Sequence, residues 1–217
     1  MKNLIFVDVD IQADFCEPNG ALAVAGSPND LYRRLTAWAV RFGLPILGSV
    51  DSHSYDAWEF ASNQVPAPSG EKPNFPDHCV KGTPGWLKVQ GTLPPRFRFV
   101  PNQAGATVEP LVSELLSGST QGLYFEKEVY SLFANPNAES LLAQLTAERA
   151  YRFVVYGVAT DYCVRAAALG LAERGYEVTV LTDGIRAITA EGERQALAAM
   201  EAAGCLLTTS AELGVAV

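Results

Sequence analysis

The feature that most restricts how this chain can fold is an alternation. Short runs of β-branched, aromatic and aliphatic residues are separated by segments with helical periodicity. LIFVDV (4–9) reads as a short buried strand. After a loop, SPNDLYRRLTAWAVRFG places Leu31, Leu35, Trp38 and Phe42 on one helical face, with Ser27 as N-cap, Pro28 at the first helical position and Gly43 just past the end. LPILGSVD (44–51), LYFEK (123–127) and RFVVYGV (152–158) read as the second, third and fourth strands. A helix from about Asp161 to Arg174 follows, with Gly175 as its stop, and YEVTVLTD (176–183) is a fifth strand. A helix near 191–203 leads to CLLTT (205–209), the sixth. Strands that alternate with helices need crossover connections, and right-handed crossovers leave few topologies. The expected fold is therefore α/β: a doubly wound, mostly parallel six-stranded sheet with helices on both faces. No internal repeat or linker interrupts the 217 residues, so a single domain over 1–217 is expected.

In such a sheet, ligands bind beyond the carboxyl ends of the strands, where the strand order reverses. Polar residues gather at those ends. The first strand closes in Asp8 and Asp10, the second in Asp51-Ser52-His53 and the third in Lys127, while the fourth leads into Cys163. Both histidines of the chain, His53 and His78, fall in these loops. The connection from Ala61 to Pro84 is long and carries five prolines, with a proline-rich insertion near 61–74, yet it holds the segment FPDHC. Connections of that length are usually functional or disordered, and FPDHC favours function.

Charge excludes some partners. A formal net charge of −8 argues against nucleic acid, whose phosphates demand basic patches, and no run of Lys and Arg suggests a membrane surface. The opening MKNLIFVDVD lacks the long apolar region and small-residue cleavage site of a leader. The four cysteines (Cys16, Cys79, Cys163 and Cys205) are scattered with no C-x-x-C. A cytoplasmic protein with reduced thiols is expected, working on a small molecule and forming a homo-oligomer.

Cys163 poses the sharpest question. It opens a helix after a buried strand, behind a Thr/Asp pair suited to capping. By position alone a cysteine there is a small core residue; the alternative is a thiolate whose pKa falls at the positive end of a helix.

Five collinear blocks bear on the choice: D-I-Q-A-D-F-C (10–16), D-S-H (51–53), F-P-D-H-C-V-K-G-T-P-G (75–85), F-E-K-E-V-Y-S (125–131) and G-V-A-T-D-Y-C-V (157–164). Together they resemble the nicotinamidases of the isochorismatase-like cysteine hydrolases. The resemblance implies a catalytic triad of Asp10, Lys127 and Cys163, with Asp8 left as structural. Amide hydrolysis by a thiol needs a base to take its proton and an acid to protonate the departing ammonia, and one carboxyl can serve both ends. The resemblance further implies a cis peptide between Val158 and Ala159, with the backbone N–H groups of Ala159 and Cys163 facing the tetrahedral oxyanion. It also implies a divalent metal ion on Asp51, His53 and His78, zinc first and manganese or iron as alternatives, gripping the pyridine nitrogen directly or through water. Many nicotinamidases read D-W-H-P-x-x-H, whereas this chain reads D-S-H-S-Y-D-A, with Ala57 where a further histidine often stands. Other members use a glutamate slightly later, which is Glu59 here. Phe15, Phe75, Tyr130 and Tyr162 adjoin these blocks and suit the walls of a flat aromatic site, with Phe75 standing where a tryptophan is usual.

The expected reaction is nicotinamide plus water giving nicotinate and ammonia through a thioester on Cys163. A relative acting on another small amide or ureido compound is the alternative. Isochorismatase vinyl-ether chemistry fits less well, because those enzymes as a group do without the metal histidines. A dead hydrolase is disfavoured by the filled triad positions, and a nucleotide-binding protein by the lack of a glycine-rich loop after LIFVDVD.

Overall fold

In a computed structural model, which describes residues 3–63 and 75–215, the first strand sets the layering. Along β1 (Leu4–Val9) alternate side chains leave on opposite faces. Ile5, Val7 and Val9 join one hydrophobic cluster and Phe6 the other. β1 is flanked by β2 (Ile46–Asp51) and β5 (Arg152–Val158), and β3 (Phe97–Val100), β4 (Gly122–Lys127), β6 (Glu177–Arg186) and β7 (Leu206–Thr208) complete the sheet. The order is β3-β4-β2-β1-β5-β6-β7, and every pairing is parallel. The chain turns back on itself at β1, so the loops after β1 and β5 diverge and open a crevice between them.

Helices cover both faces. After a single turn, α1 (Ala13–Cys16), comes α2 (Asn29–Phe42), which buries Leu31, Tyr32, Leu35 and Trp38 against the Phe6 face. α3 (Val108–Ser117), α4 (Ala138–Thr146), α5 (Arg165–Glu173) and α6 (Ala190–Ala202) pack on the Val7 face through Val112, Leu115, Leu141, Leu145, Ala168, Leu171 and Met200. Register brings the strand ends level: Val9 pairs with both Ser49 and Gly157, and Asp51 with Lys127.

The sheet has seven strands where six were expected. The extra one, β3, is a short exposed edge strand in a proline-flanked stretch, and its RFRF alternation is too brief to stand out against those prolines. Two details of α2 also differ. Ser27 does not cap it; its hydroxyl donates to the Val24 carbonyl at 2.8 Å. Phe42 is 48% exposed and leans on Trp38 with ring centroids 4.8 Å apart. Gly43 does end the helix, at φ 63°. The long connection is tied back by bridges pairing His53 with Val80 and Phe60 with Phe75; residues 64–74, most of the proline-rich insertion, lie outside the described residues. Among the described residues no helix is long and apolar enough to cross a membrane, and the four cysteines are free.

Asp8 lies on the Phe6 face of β1 without exposed surface, ion-paired to Lys88, whose ammonium also sits 5.2 Å from the centre of the Tyr124 ring. Beside it, β5 depends on one glycine. Gly157 has φ 128°, where the β5–β6 register slips, and a Cβ there would lie 2.0 Å from the Val9 carbonyl oxygen. Gly157→Ala is expected to cost about 3 kcal/mol or more, lowering Tm by at least about 6 °C. Gly43→Ala, whose Cβ meets nothing within 4 Å, should cost only about 1–2 kcal/mol. Calorimetry of the two variants checks this, and equal losses would refute the steric argument.

Candidate active site

Lys127, the last residue of β4, is wholly buried. Its Nζ lies 2.8 Å from Asp10 Oδ2, pairs with Asp51 Oδ1 and donates towards Cys163 Sγ at 3.6 Å. The three residues expected to form the triad thus meet around one ammonium at the carboxyl ends of β1, β4 and β5. Burial works against charge on Lys127, but the two carboxylates outweigh it and hold its pKa well above the ordinary value. Burial raises the Asp10 carboxyl, with Lys127 opposing. Burial also pushes the Cys163 thiol well up, again with Lys127 opposing. Burial and the Asp10 and Asp51 carboxylates thus oppose the lowered thiol pKa that a helix opening would favour.

Cys163 sits in a turn of π-helix, Thr160–Val164, rather than in α5 itself. The Ala159 carbonyl accepts from the N–H of Tyr162 and of Val164, both at 3.1 Å, so the chain makes an i to i+5 bond there. Such widened turns recur at functional sites. The Val158–Ala159 peptide is cis. Asp161 is directed away from the sulfur: its carboxylate accepts from the N–H of Ile188 at 3.1 Å and of Thr189 at 3.2 Å, anchoring the loop before α6.

A second cluster adjoins Lys127. Asp51 uses Oδ1 on the lysine, and its Oδ2 lies 3.8 Å from His53 Nε2 and 3.9 Å from His78 Nε2. Glu59 Oε1 lies 2.9 Å and 3.4 Å from the same two nitrogens. His78 Nδ1 is 2.8 Å from the Pro76 carbonyl, which assigns it the proton and leaves Nε2 as a lone-pair donor towards the carboxylates. His53 Nε2 is buried without a hydrogen-bond partner although Glu59 is close, so the approach has ion-pair distance without hydrogen-bond geometry. Asp51 and the two imidazoles converge closely enough to fit a divalent cation with mixed N and O ligands, and Glu59 reaches both histidines. Burial opposes a charge on His53, yet Asp51 and Glu59 push its pKa up to about 9. Burial likewise opposes the Asp51 charge, but Lys127 and His53 bring its pKa to about 2. Asp10, Asp51 and Cys163 also converge, but Lys127 already provides the cation at that point.

The D-I-Q-A-D-F block supplies the scaffolding. Gln12 donates to the Asp51 carbonyl at 2.8 Å and to the Trp86 carbonyl at 2.9 Å, and accepts from the Asp51 N–H at 2.8 Å. Asp14 accepts from the Cys79 N–H at 2.7 Å, fixing the loop that carries His78.

Both clusters open on a cleft of about 430 Å³. Phe15, Phe75, Tyr130 and Tyr162 all line it. Phe15 and Phe75 stand 5.4 Å and 6.0 Å from the His78 ring, and Tyr130 stands 5.2 Å from Tyr162. Leu22, Val24, Val129 and Ile188 also line the cleft and were not singled out from the sequence. Val129 is flagged only by its place next to Tyr130, and the other three lie in loops without periodicity. Ser49 was missed too, although a serine inside the fully buried run ILGSVD is a signal in itself.

Residues 4–212 match the isochorismatase domain family. The nicotinamidase of Escherichia coli K12 is 32% identical over 94% of this chain and 93% of its own length. The nicotinamidase/pyrazinamidase of Mycobacterium tuberculosis is 29% identical over 97% and 100%. Among solved structures, the zinc complex of Pyrococcus horikoshii pyrazinamidase superposes with a TM-score of 0.69 at 26% identity, covering 95% of this chain and 99% of that one. With a parallel sheet of the same architecture and a family match over nearly its whole length, this chain belongs to the isochorismatase family, among its nicotinamidase-like cysteine hydrolases.

Proposed function

We propose that this protein hydrolyses nicotinamide to nicotinate and ammonia, with Asp10, Lys127 and Cys163 as its catalytic residues. The observation that carries the reading is a shared cleft: a buried thiol with its base and a mixed histidine–carboxylate cluster open on one aromatic-walled cleft. In the first half-reaction Cys163 Sγ bonds to the carboxamide carbon while its proton passes to Asp10. The oxyanion takes hydrogen bonds from the N–H groups of Ala159 and Cys163. Such preorganised donors are commonly worth about 3–4 kcal/mol. Asp10 returns the proton to the amide nitrogen, the C–N bond breaks and ammonia leaves a thioester on Cys163. In the second half Asp10 takes one proton from water as the water oxygen attacks the thioester; the C–S bond then breaks, Asp10 returns that proton to the sulfur, and the acid gives up its remaining proton to solvent as nicotinate. Lys127 keeps Asp10 and the developing thiolate from repelling each other. Asp51, His53, Glu59 and His78 would hold a divalent ion, zinc by analogy with the pyrazinamidase complex. Bound there, the ion supplies a Lewis-acidic contact for a ring nitrogen. Phe15, Phe75, Tyr130 and Tyr162 hold the ring face, which leaves the carboxamide aimed at the sulfur.

Cys163→Ala should lower turnover by more than about 10⁴-fold with Tm nearly unchanged, and wild-type enzyme quenched during turnover should carry an acyl adduct on Cys163 by mass spectrometry. Near-normal turnover in that variant would remove the nucleophile assignment. Purified enzyme should contain about one divalent ion per chain by elemental analysis, and His53→Ala should lose it; full occupancy in the variant would discard this ligand set. Pyrazinamide keeps the ring nitrogen meta to the carboxamide and should be turned over. Benzamide lacks it and should fall by about a hundredfold in kcat/KM. Equal rates on all three amides, unchanged by a chelator, would favour the alternative of a different small amide or ureido substrate.

A further inference from the structure

Asp10 has a partner on the side away from Lys127. Ser49 of β2 has no exposed surface, and its Oγ donates to Asp10 Oδ1 at 2.8 Å. Its carbonyl accepts the Asp10 N–H at 3.1 Å. One residue therefore grips Asp10 through both backbone and side chain, while Oδ2 is left 2.8 Å from Lys127 Nζ. The clasp matters because Asp10 has φ 48°, outside the strand region. Strand alternation no longer sets the direction of its side chain, so something else must. Packing does not explain a serine here. Every residue of β2 is buried, and an apolar side chain would fill that space without a hydroxyl to desolvate.

The geometry points to Ser49 as a positioning residue. By occupying Oδ1, it leaves Oδ2 as the oxygen that exchanges a proton with the Cys163 thiol and the departing ammonia. The inference rests on the proposed hydrolysis of nicotinamide, with Asp10 as the proton carrier. A carboxylate free to rotate would divide its time between productive and unproductive orientations, and a misplaced base lowers the rate of the chemical step more than substrate binding.

The test compares Ser49→Ala, Ser49→Thr and Ser49→Val as metal-loaded enzymes, with metal content and Tm recorded for each. Hydrogen bonds to charged groups of this kind correspond to about a 10- to 100-fold effect. Ser49→Ala should lose that much in kcat with nicotinamide while KM stays within about twofold. Ser49→Thr, which restores the hydroxyl, should recover most of kcat. Ser49→Val, with the same shape and no hydroxyl, should stay at the alanine level. Wild-type kcat in Ser49→Ala, a loss confined to KM, or valine matching threonine would overturn the inference. If the branched side chains prevent folding, the kcat and KM of Ser49→Ala decide alone. A wild-type enzyme inert towards nicotinamide would overturn the underlying reading and this inference with it. Wild-type turnover matched by Ser49→Ala would overturn the inference alone.

Discussion

A lysine ammonium without exposed surface has to be surrounded by compensating charge, and in this protein much of the site is arranged to meet that requirement. Desolvating an ammonium costs several kcal/mol, and removing one partner of such a buried pair typically costs about 3–5 kcal/mol. Lys127 has Asp10 on one side and Asp51 on the other. Those partners come from β1 and β2, so the ammonium can be satisfied only if three strands end at the same level. The register of β2 with β4, which sets Asp51 beside Lys127, provides that alignment. The same cation is also the link between the two halves of the site: Asp51 gives Lys127 one oxygen and turns the other to the histidine pair.

Most of the remaining motif residues hold this arrangement in place. Gln12 clamps the backbone of Asp51 at both its N–H and its carbonyl, and Asp14 secures the loop carrying His78. Asp161, two residues before the thiol, holds the loop that brings Ile188 to the cleft. A polar residue in such a block invites a catalytic role, yet Gln12, Asp14 and Asp161 spend these hydrogen bonds on backbone. The site is built from loops, and loops have no ladder of their own to fix them. Side-chain to backbone bonds supply what a sheet would have supplied.

This explains what could be read in the sequence and what could not. β1 and β5 were legible residue for residue, because an apolar run buried on both faces and closed by polar residues has few other readings. Asp10, Lys127 and Cys163 converge because strand ends in a parallel sheet share one rim. β3 escaped because an exposed edge strand carries no continuous apolar run. The π-turn escaped because its signal is a single backbone bond passing over one residue, which side-chain periodicity does not encode. Position at a helix opening favours a lowered thiol pKa, whereas the burial and charge that oppose it at Cys163 come from residues far away in sequence, and its Lys127 partner lies 36 positions off. Ser49 was overlooked because a buried hydroxyl acquires meaning only once its partner is known.

The charge balance of the site also bears on turnover. Asp10, Asp51 and Glu59 are buried carboxyls, and Lys127 is the only lysine or arginine that reaches them among the described residues. The excess of negative charge is what drives His53 to hold a proton, with its pKa at about 9, when no metal ion is present. A divalent ion held there would take over the positive charge of that proton, while Asp10 and Asp51 still share the single ammonium of Lys127. Among the described residues the cleft has no guanidinium or ammonium on its walls, so a neutral amide meets no fixed cation there. On the proposed reaction, hydrolysis then creates a carboxylate beside carboxylates. Like charges at short range in a partly desolvated cleft repel more strongly than they would in water. Substrate and product have nearly the same shape, so contacts with the aromatic walls cannot tell them apart. The charge that the reaction itself produces can, and it favours departure of the acid over its retention.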